Sequence, residues 1–504
     1  MMSNNLLSQD GNGLTSAEVF GRGAGVTFDD LILLPSFSDV SGDGIHLNQE
    51  LAPGLVLSLP LISSPMDTVT EWKTATYMAL HGGLGIIHFN LNPEEAAAHV
   101  KRVKRFRMGF IFNPVCRSPR DPVNEVARVK ESLGFSTILI TDNGEQSGRL
   151  LGMVMKGNVA LEEDKSAPLG SVMIPRGQLE TRLASEVSDL TSAREILRQR
   201  PSISKLPLLN SDGSVYALIT REDVAKSEKY PAELLDENEQ LRVGAAVSTH
   251  EQDRGRIDQL LEAGVDLLVI DSAQGATQFA VKLIKDIRQR SKSIPIIAGN
   301  VVTPKQAEPL IEAGANVLRV GMGSGSICTT QDKVGVGRAQ LSAVYHTSLV
   351  AKNKGVPVVA DGGIRTTADI IKAFACGASF VMVGRYIAGA DETPSETVQD
   401  QYGRSTKRYR GMGSTGAIRA GGSRRYGHEV DMRTVVIQGV EGLIPAQGSL
   451  DKLLPEAAAA IKKGLEYCGC ASISALHQMA TDGRIRFELQ SAAARAEGHP
   501  HDIM

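Results

Sequence analysis

Cys328 lies in a segment that combines a nucleophile with small neighbours. In this segment, GMGSGSICTTQDKVGVGRAQ (residues 321–340), glycines and serines come before the cysteine and two threonines come directly after it. Small residues let a substrate approach the backbone closely and leave a neighbouring sulfur accessible. A thiolate in such a place attacks an electron-poor carbon and forms a covalent intermediate. We therefore predict Cys328 as a nucleophile, with Thr330 in position to relay a proton.

Eight short apolar runs along the chain are typical of buried parallel strands, which are apolar throughout rather than alternating. Amphipathic stretches such as EQDRGRIDQLLEAG lie between them and end in a glycine, as helices often do. Eight β-α units in series predict a (β/α)8 TIM barrel, with a doubly wound sheet as the alternative. The runs lie at residues 60–66, 83–89, 241–247, 265–272, 294–301, 316–322, 356–363 and 378–385.

Polar residues collect where these predicted strands end, which is where barrel enzymes hold their active sites. In chain order they are Ser64, Asp271, Ser272, Asn300, Arg319 and Asp361. Glycines also follow the seventh and eighth strands, at Gly363 and Gly384. Glycines at two neighbouring strand ends predict a phosphate bound by backbone amides.

Residues 115–230 interrupt the barrel pattern after its second strand. Two similar segments lie there, STILITDNGEQSGRLLGMVMKGNV (136–159) and KLPLLNSDGSVYALITREDV (205–224). Each gives a strand, a turn, a second strand and the start of a helix, and a repeat inside an insertion indicates a separate module. We expect residues 1–114 and 231–504 to form the catalytic barrel around this module.

The repeat resembles a tandem pair of CBS domains, known together as a Bateman module. The second copy keeps the ligand-contact pattern of these domains in Thr220 and Asp223, whereas Met155 and Asn158 stand in the first copy. Many such pairs bind adenine or guanine nucleotides. The resemblance therefore implies a regulatory nucleotide site, with a purely structural lobe as the alternative.

The overall composition excludes several other classes of function. The chain has 504 residues and a formal net charge of −3, which gives no support to nucleic-acid binding. No apolar run is long enough to span a membrane, and the amino terminus lacks the core of a signal peptide. The five cysteines are sparse and odd in number, which favours a reducing compartment, so we expect a cytoplasmic protein.

Five segments together resemble one enzyme superfamily. They are GMGSGSICTT, SSPMDTVTE, GNVVT, ADGGI and YRGMGSTGA. They are similar to the superfamily of inosine-5′-monophosphate (IMP) dehydrogenase and guanosine-5′-monophosphate (GMP) reductase, and the similarity runs from GVTFDDLILLP (25–35) as far as residue 450. The pattern is nearer to an IMP dehydrogenase with a CBS pair than to the reductase.

The resemblance implies a reaction in which Cys328 adds to the purine ring of IMP and hydride leaves to NAD+. It also implies that Thr330 and Gln438 assist, and that Arg425 and Tyr426 act from a mobile flap that covers roughly 405–445. In the family the nucleotide is held by residues that match Ser64, Met66, Asn300, Arg319, Ser326, Asp361, Gly363, Gly384, Arg385, Tyr409, Gly411, Met412 and Gly413 here.

Further expectations concern the cofactor, a metal ion and the assembly. By resemblance, the dinucleotide would contact Asp271, Ser272, Gly321 and Gly323. Carbonyl groups of Gly323, Gly325 and Cys328 would bind a monovalent cation, for which K+ is the expected ion because the ligands are hard oxygens. Family members are homotetramers, and some pair into octamers through the CBS lobes.

Position 438 separates the two activities of the superfamily. The reductase uses the same cysteine to expel ammonia from GMP with hydride from NADPH, and its catalytic glutamate would fall where this chain has Gln438. It also has no need of a water-activating arginine such as Arg425. Both features favour the dehydrogenase, with the reductase and a catalytically silent nucleotide sensor as alternatives. Arg385 departs from the family pattern, which usually has a small serine there.

Overall fold

The computed structural model describes residues 11–106, 110–112, 114–133, 137–160, 162–187, 190–227, 230–421 and 436–498. The chain forms two compact units. The first comprises residues 1–103, 232–236 and 242–504, and the second comprises residues 104–231 and 237–241.

The first unit is built on a closed barrel of eight parallel strands. Each predicted apolar run contains one of these strands, and almost every strand residue is buried. The predicted (β/α)8 barrel is therefore confirmed. The strands are β1 Leu61–Ser63, β2 Leu84–Ile87, β3 Gly244–Val247, β4 Leu267–Asp271, β5 Ile296–Val301, β6 Val317–Val320, β7 Val358–Asp361 and β8 Phe380–Val383. Neighbouring strands are joined in the order β3-β4-β5-β6-β7-β8-β1-β2.

A helix follows each barrel strand and packs outside it. Several begin at a threonine whose side chain accepts a hydrogen bond from the first turn, as Thr277 and Thr303 do. Two of the predicted terminal glycines, Gly264 and Gly314, have positive φ just beyond their helices. The helices are α1 Trp72–Leu80, α2 Pro93–Arg105, α3 Arg254–Glu262, α4 Gln278–Arg290, α5 Pro304–Glu312, α6 Gln340–Asn353, α7 Thr367–Ala375 and α8 Leu450–Tyr467.

Smaller elements of the first unit surround the barrel. A three-stranded antiparallel sheet lies between β8 and α8, in the order Thr397–Gln399, Ser405–Arg410, Glu441–Pro445. Two-stranded sheets pair Leu31–Leu33 with Phe487–Leu489 and Gln49–Ala52 with Leu55–Leu57. Short helices span Ser16–Phe20, Thr330–Val334, Thr415–Arg419, Ile473–Thr481 and Ala492–Glu497.

The second unit contains two four-stranded sheets, each centred on an antiparallel hairpin. The hairpins are Ile138–Thr141 with Leu150–Val154 and Lys205–Leu209 with Val215–Thr220, which are the strands of the two repeated segments. The outer strands are Cys116–Arg117 and Ile174–Pro175 in one sheet and Phe110–Ile111 and Arg182–Leu183 in the other. The helices are Asn124–Leu133, Leu169–Val172, Leu190–Gln199 and Arg221–Ser227.

The two copies of the repeat differ at the positions singled out in the sequence. In the first copy the Asn158 side chain accepts a hydrogen bond from the backbone of Met155 at 2.9 Å, so it closes its own turn. In the second copy Thr220 is buried at the end of its strand. Within the described residues no helix is long and apolar enough to cross a membrane.

Candidate active site

A cavity opens where the barrel strands end. It is bounded by the ends of β1, β5, β6, β7 and β8, by the Cys328 loop, and by residues 409–413. The barrel therefore brings together side chains that are far apart in the sequence. Every residue that the resemblance assigns to nucleotide binding lines this cavity: Ser64, Met66, Asn300, Arg319, Ser326, Asp361, Gly363, Gly384, Arg385, Tyr409, Gly411, Met412 and Gly413.

Three of the predicted catalytic residues also line the cavity, and they are Cys328, Thr330 and Gln438. The other two, Arg425 and Tyr426, lie in residues 422–435, outside the described residues. The strands that flank this segment in sequence pair with each other, Ser405–Arg410 against Glu441–Pro445. Both ends of the predicted flap are thus fixed to one sheet.

The residues predicted to contact the cofactor divide between the cavity and its wall. Gly321 and Gly323 line the cavity. Asp271 does not, because its carboxylate is fully buried at the end of β4. Ser272 also lies outside the lining, and its hydroxyl donates to the carbonyl of Gln274 at 2.9 Å. Their contact with a dinucleotide stays a prediction.

The carbonyl groups predicted for the cation belong to the Cys328 loop. The Gly323 carbonyl accepts a hydrogen bond from the Gln331 side chain at 3.0 Å, and the Gly325 carbonyl accepts one from the Cys328 amide at 3.0 Å. A carbonyl oxygen has two lone pairs. Each oxygen therefore keeps one acceptor position that suits a hard monovalent cation.

Cys328 is placed where a substrate can reach its sulfur. It lies in the loop that joins β6 to the short helix Thr330–Val334, and its side chain is half-buried. Its Sγ is 3.1 Å from the Oγ1 of Thr330, so a proton can pass between the two groups. The sulfur and the hydroxyl both line the cavity.

The four other cysteines are poor candidates for nucleophilic chemistry because all are buried. Burial raises the pKa of Cys116 and Cys470 to about 11 and that of Cys468 to about 12. Burial also raises the pKa of Cys376 well above its ordinary value. A buried thiol in apolar surroundings is inert, so the accessible sulfur is that of Cys328.

The Cys328 loop is held by residues 438–440, which belong to the second half of the predicted flap. The amide of Val440 donates to the carbonyl of Ile327 at 3.0 Å, and the amide of Thr329 donates to the carbonyl of Gln438 at 3.1 Å. These two bonds enclose the cysteine, which faces Gly439 as an antiparallel bridge. The backbone at Cys328 and at Gln438 is therefore fixed at one side of the cavity.

A buried network of charges forms another part of the cavity wall. Arg319 of β6 lies between two carboxylates, with Nη1 donating to Asp271 Oδ1 at 2.6 Å and Nε donating to Asp361 Oδ2 at 2.8 Å. The Nδ2 of Asn300 donates to the same oxygen of Asp361 at 2.9 Å. The side chains of Arg319 and Asp271 are 2% and 0% exposed, so these contacts are shielded from water. The network fixes the Asp361 carboxylate at the end of β7.

Two acceptor atoms of this wall have no hydrogen-bond donor within the described part of the chain. One is the second oxygen of Asp361, whose side chain is 14% exposed, and the other is the buried Oδ1 of Asn300. Both residues line the cavity. Vicinal hydroxyl groups of a ribose are donors of the kind that a carboxylate and an amide oxygen accept.

The part of the cavity around Tyr409 and Gly384, its anion-binding end, has neutral donors that suit an anion. The hydroxyl of Tyr409 is hydrogen-bonded with Ser326, and burial raises the pKa of Tyr409 well above its ordinary value, so the hydroxyl keeps its proton. A Cβ atom at Gly384 would lie 3.1 Å from this hydroxyl oxygen, so only glycine leaves full space there. β7 pairs with β8, with Asp361 opposite Met382, which sets the glycines after the two strands side by side.

One ion pair at the cavity rim was missed by sequence reasoning. Arg410 Nε and Nη2 donate to the two oxygens of Asp67 at 3.1 and 2.7 Å, and Asn90 Nδ2 donates to the same carboxylate at 2.7 Å. The pair joins the segment after β1 to the strand Ser405–Arg410, of which Arg410 is the last residue. Both residues stand inside quoted motifs, SSPMDTVTE and YRGMGSTGA, but spacing alone gave no sign of their contact.

Comparison with known proteins agrees with this arrangement. Residues 25–501 match the model of the IMP dehydrogenase / GMP reductase domain. The chain belongs to this family. Its relatives include the inosine-5′-monophosphate dehydrogenase of Schizosaccharomyces pombe, 41% identical over 481 residues that cover 94% of this chain and 91% of that protein. The enzyme of the same name from Trypanosoma brucei brucei is 39% identical over 494 residues, which cover 98% and 95%.

Solved structures of the family share the fold. The GMP reductase of Trypanosoma brucei in complex with guanosine 5′-monophosphate superposes with a TM-score of 0.84 at 32% identity, covering 95% of this chain and 98% of that one. The same reductase in complex with guanosine 5′-triphosphate gives a TM-score of 0.75 at 30% identity. Membership of this family makes the protein an oxidoreductase that acts on purine nucleotides, as predicted.

Proposed function

We propose that the protein is an IMP dehydrogenase, which oxidises IMP to xanthosine monophosphate (XMP) with NAD+ in guanine nucleotide synthesis. The observation that carries the proposal is the accessible Cys328 sulfur, 3.1 Å from the Thr330 hydroxyl, in a cavity that Gln438, Asp361 and Tyr409 also line. The dehydrogenase names of the relatives, at 36–41% identity, support it.

Cys328 acts as the nucleophile toward C2 of the hypoxanthine ring. The sulfur forms a bond to C2, the hydrogen on C2 departs with its electron pair, and a thioimidate between Cys328 and the purine remains. Bound NAD+ supplies the acceptor for that hydride. Water then adds its oxygen to C2, the C–S bond breaks, a proton from the water returns to the sulfur, and XMP is released from the regenerated thiol. Splitting one difficult step into two is the advantage of a covalent intermediate.

The remaining cavity residues hold the nucleotide in position for this attack. Asp361, fixed by Arg319 and Asn300, accepts hydrogen bonds from the ribose hydroxyls. Ser326, Tyr409 and the backbone at Gly363 and Gly384 bind the phosphate. Because the carboxylate is already oriented by buried partners, little freedom is lost when the ribose binds.

Hydrolysis requires a group that activates water. We assign this role to Arg425 and Tyr426 by family resemblance, with the Thr330 hydroxyl as a second route for the proton. A lid that enters the site after the dinucleotide leaves would complete the catalytic arrangement for this step. Gln438 fits a dehydrogenase, since an amide cannot act as the acid that the reductase needs at that position.

GMP reductase activity is the second candidate. It is favoured by the two solved structures described above, because both are GMP reductases. In that reaction the same Cys328 would expel ammonia from GMP, with NADPH as the hydride donor. We assign the other expected properties by family resemblance: K+ at the Cys328 loop, a homotetramer or octamer, adenine or guanine nucleotides at the second unit, and a cytoplasmic location.

One assay on the purified protein separates the candidates. IMP with NAD+ should give NADH absorbance, whereas oxidation of NADPH with GMP and no reaction with IMP would establish the reductase. Nucleotide binding without either reaction would leave a nucleotide sensor.

Two sets of variants test the residues. Cys328→Ala should abolish turnover and retain nucleotide binding, whereas Cys116→Ala, a buried thiol in the second unit, should retain both. Turnover by Cys328→Ala would contradict the nucleophile assignment. Arg425→Ala should accumulate the covalent intermediate in a dehydrogenase, detected as added mass at Cys328.

A further inference from the structure

Arg385 stands out among the charged residues of the cavity. The lining contains only three charged side chains within the described residues, Arg319, Asp361 and Arg385. Arg319 is neutralised by Asp361 and by the buried Asp271. Among the described residues, no carboxylate lies within 4.0 Å of the Arg385 guanidinium. The guanidinium also donates no hydrogen bond to any described residue. A guanidinium without a counterion at a cavity wall is an anion site.

The position of Arg385 identifies which part of a nucleotide it faces. It is the first residue after Gly384, in the turn that follows β8, and Gly384 is the residue whose Cβ would approach the Tyr409 hydroxyl. The pairing of β7 with β8 places this turn beside the one that contains Gly363. The Arg385 guanidinium is close enough to the Tyr409 hydroxyl to act on it electrostatically, and both residues line the cavity with Gly363 and Gly384.

The charge balance of the cavity depends on this residue. Asp271, Asp361 and Arg319 together contribute one net negative charge, which opposes a ligand that carries a phosphate. Arg385 brings this local sum to zero and places the compensating charge at the phosphate end. A neutral side chain at position 385 would leave the phosphate to hydroxyl and amide donors alone.

We propose that Arg385 is a specificity-determining residue that pairs with the nucleotide phosphate and makes the site select the phosphate dianion over the monoanion and over the free nucleoside. This inference rests on the proposed function only in that the cavity binds a nucleoside monophosphate. Because Arg385 would act on the phosphate, its effect should fall on the binding of the substrate and not on the chemical step.

The test compares nucleotides with their nucleosides. Affinities of IMP, GMP, inosine and guanosine are measured by calorimetry for Cys328→Ala protein, which does not turn over, and for the same protein carrying Arg385→Gln, Arg385→Lys or Arg385→Ser. A charge-assisted hydrogen-bonded pair contributes enough that Arg385→Gln should bind the nucleotides roughly 10- to 100-fold more weakly. Its affinity for the nucleosides should be unchanged, and Arg385→Lys should recover part of the loss.

The pH dependence supplies a second, independent readout. The second ionisation of a phosphate monoester has a pKa of about 6, so lowering the pH from about 7.5 to about 5.5 reduces the dianion roughly fourfold. With Arg385 present, the affinity for IMP should fall by about this factor, and the Arg385→Gln protein should respond less.

Three outcomes would overturn the proposal. Arg385→Gln could bind IMP as tightly as the parent, it could bind IMP more tightly because the side chain crowds the phosphate, or it could lose IMP and inosine equally because the change disturbs the fold. Binding is measured without turnover. A protein that catalyses neither reaction but shows the expected dependence on Arg385 would therefore refute the proposed function and leave this inference standing.

Discussion

Replacement of Arg319 by methionine should destabilise the barrel strongly. The guanidinium is 2% exposed and bonds to two carboxylates, Asp271 at 2.6 Å and Asp361 at 2.8 Å. Methionine fills a similar volume but leaves the Asp271 carboxylate, 0% exposed, buried without its cation. Removing one partner of a buried ion pair costs about 3–5 kcal/mol, because the remaining charge stays out of water. We expect a loss of that size in the free energy of unfolding of the first unit.

The chain offers a direct measurement of this loss. Its single tryptophan, Trp72, lies in α1, so its fluorescence during urea unfolding reports on the barrel and not on the second unit. Arg365→Met is a matched control, since this arginine is 49% exposed and pairs at the surface with Asp29. An exposed pair contributes only about 0–1 kcal/mol.

A double variant tests the stated cause. Adding Asp271→Asn to Arg319→Met removes the buried negative charge and should recover part of the lost stability. A loss below about 1 kcal/mol for Arg319→Met, or no recovery in the double variant, would refute the argument that the unpaired charge dominates.

Two further predictions concern single side chains. Iodoacetamide at neutral pH should rapidly modify one thiol per chain, because four of the five thiols are buried. Peptide mapping should locate the modification at Cys328, and rapid labelling of Cys468 would contradict this. Burial lowers the pKa of His477 below its ordinary value of 6.5, so the folded chain binds fewer protons than the unfolded chain just below that pH. The stability that depends on neutral His477 is complete above pH 6.5 and is lost as the pH falls. In urea unfolding at several pH values, His477→Gln should reduce this loss of unfolding free energy, and an unchanged pH dependence would contradict the prediction.

Much of the fold follows from local patterns in the sequence. Buried parallel strands are apolar on both faces, so the eight barrel strands stand out as short runs without alternation. Their polar ends then locate the cavity, because parallel strands of a barrel all finish on the same side. For this reason Ser64, Asn300 and Asp361 could be assigned to one site before any coordinates were known.

Side-chain partners were harder to predict because they depend on distant parts of the chain. Asp271 is the last residue of β4, and no sequence pattern indicated that its carboxylate would be buried against Arg319. Asp67 and Arg410 are 343 positions apart and meet only when the barrel closes. In the second unit, Phe110–Ile111 pairs with Leu218–Ile219 from the second copy of the repeat. These strands are far apart in the sequence, so no local pattern predicts their pairing.

The anchoring of the Cys328 loop also bears on how the enzyme can vary in evolution. The Gln438 carbonyl accepts a hydrogen bond from the Thr329 amide and the Val440 amide donates one to the Ile327 carbonyl, so the chain is fixed beside Cys328. The pairing of Ser405–Arg410 with Glu441–Pro445 fixes it again just outside. An insertion or deletion between positions 414 and 437 is therefore separated from the nucleophile by two firm attachments. A change of length there should therefore leave the position of the Cys328 sulfur in the cavity unaltered.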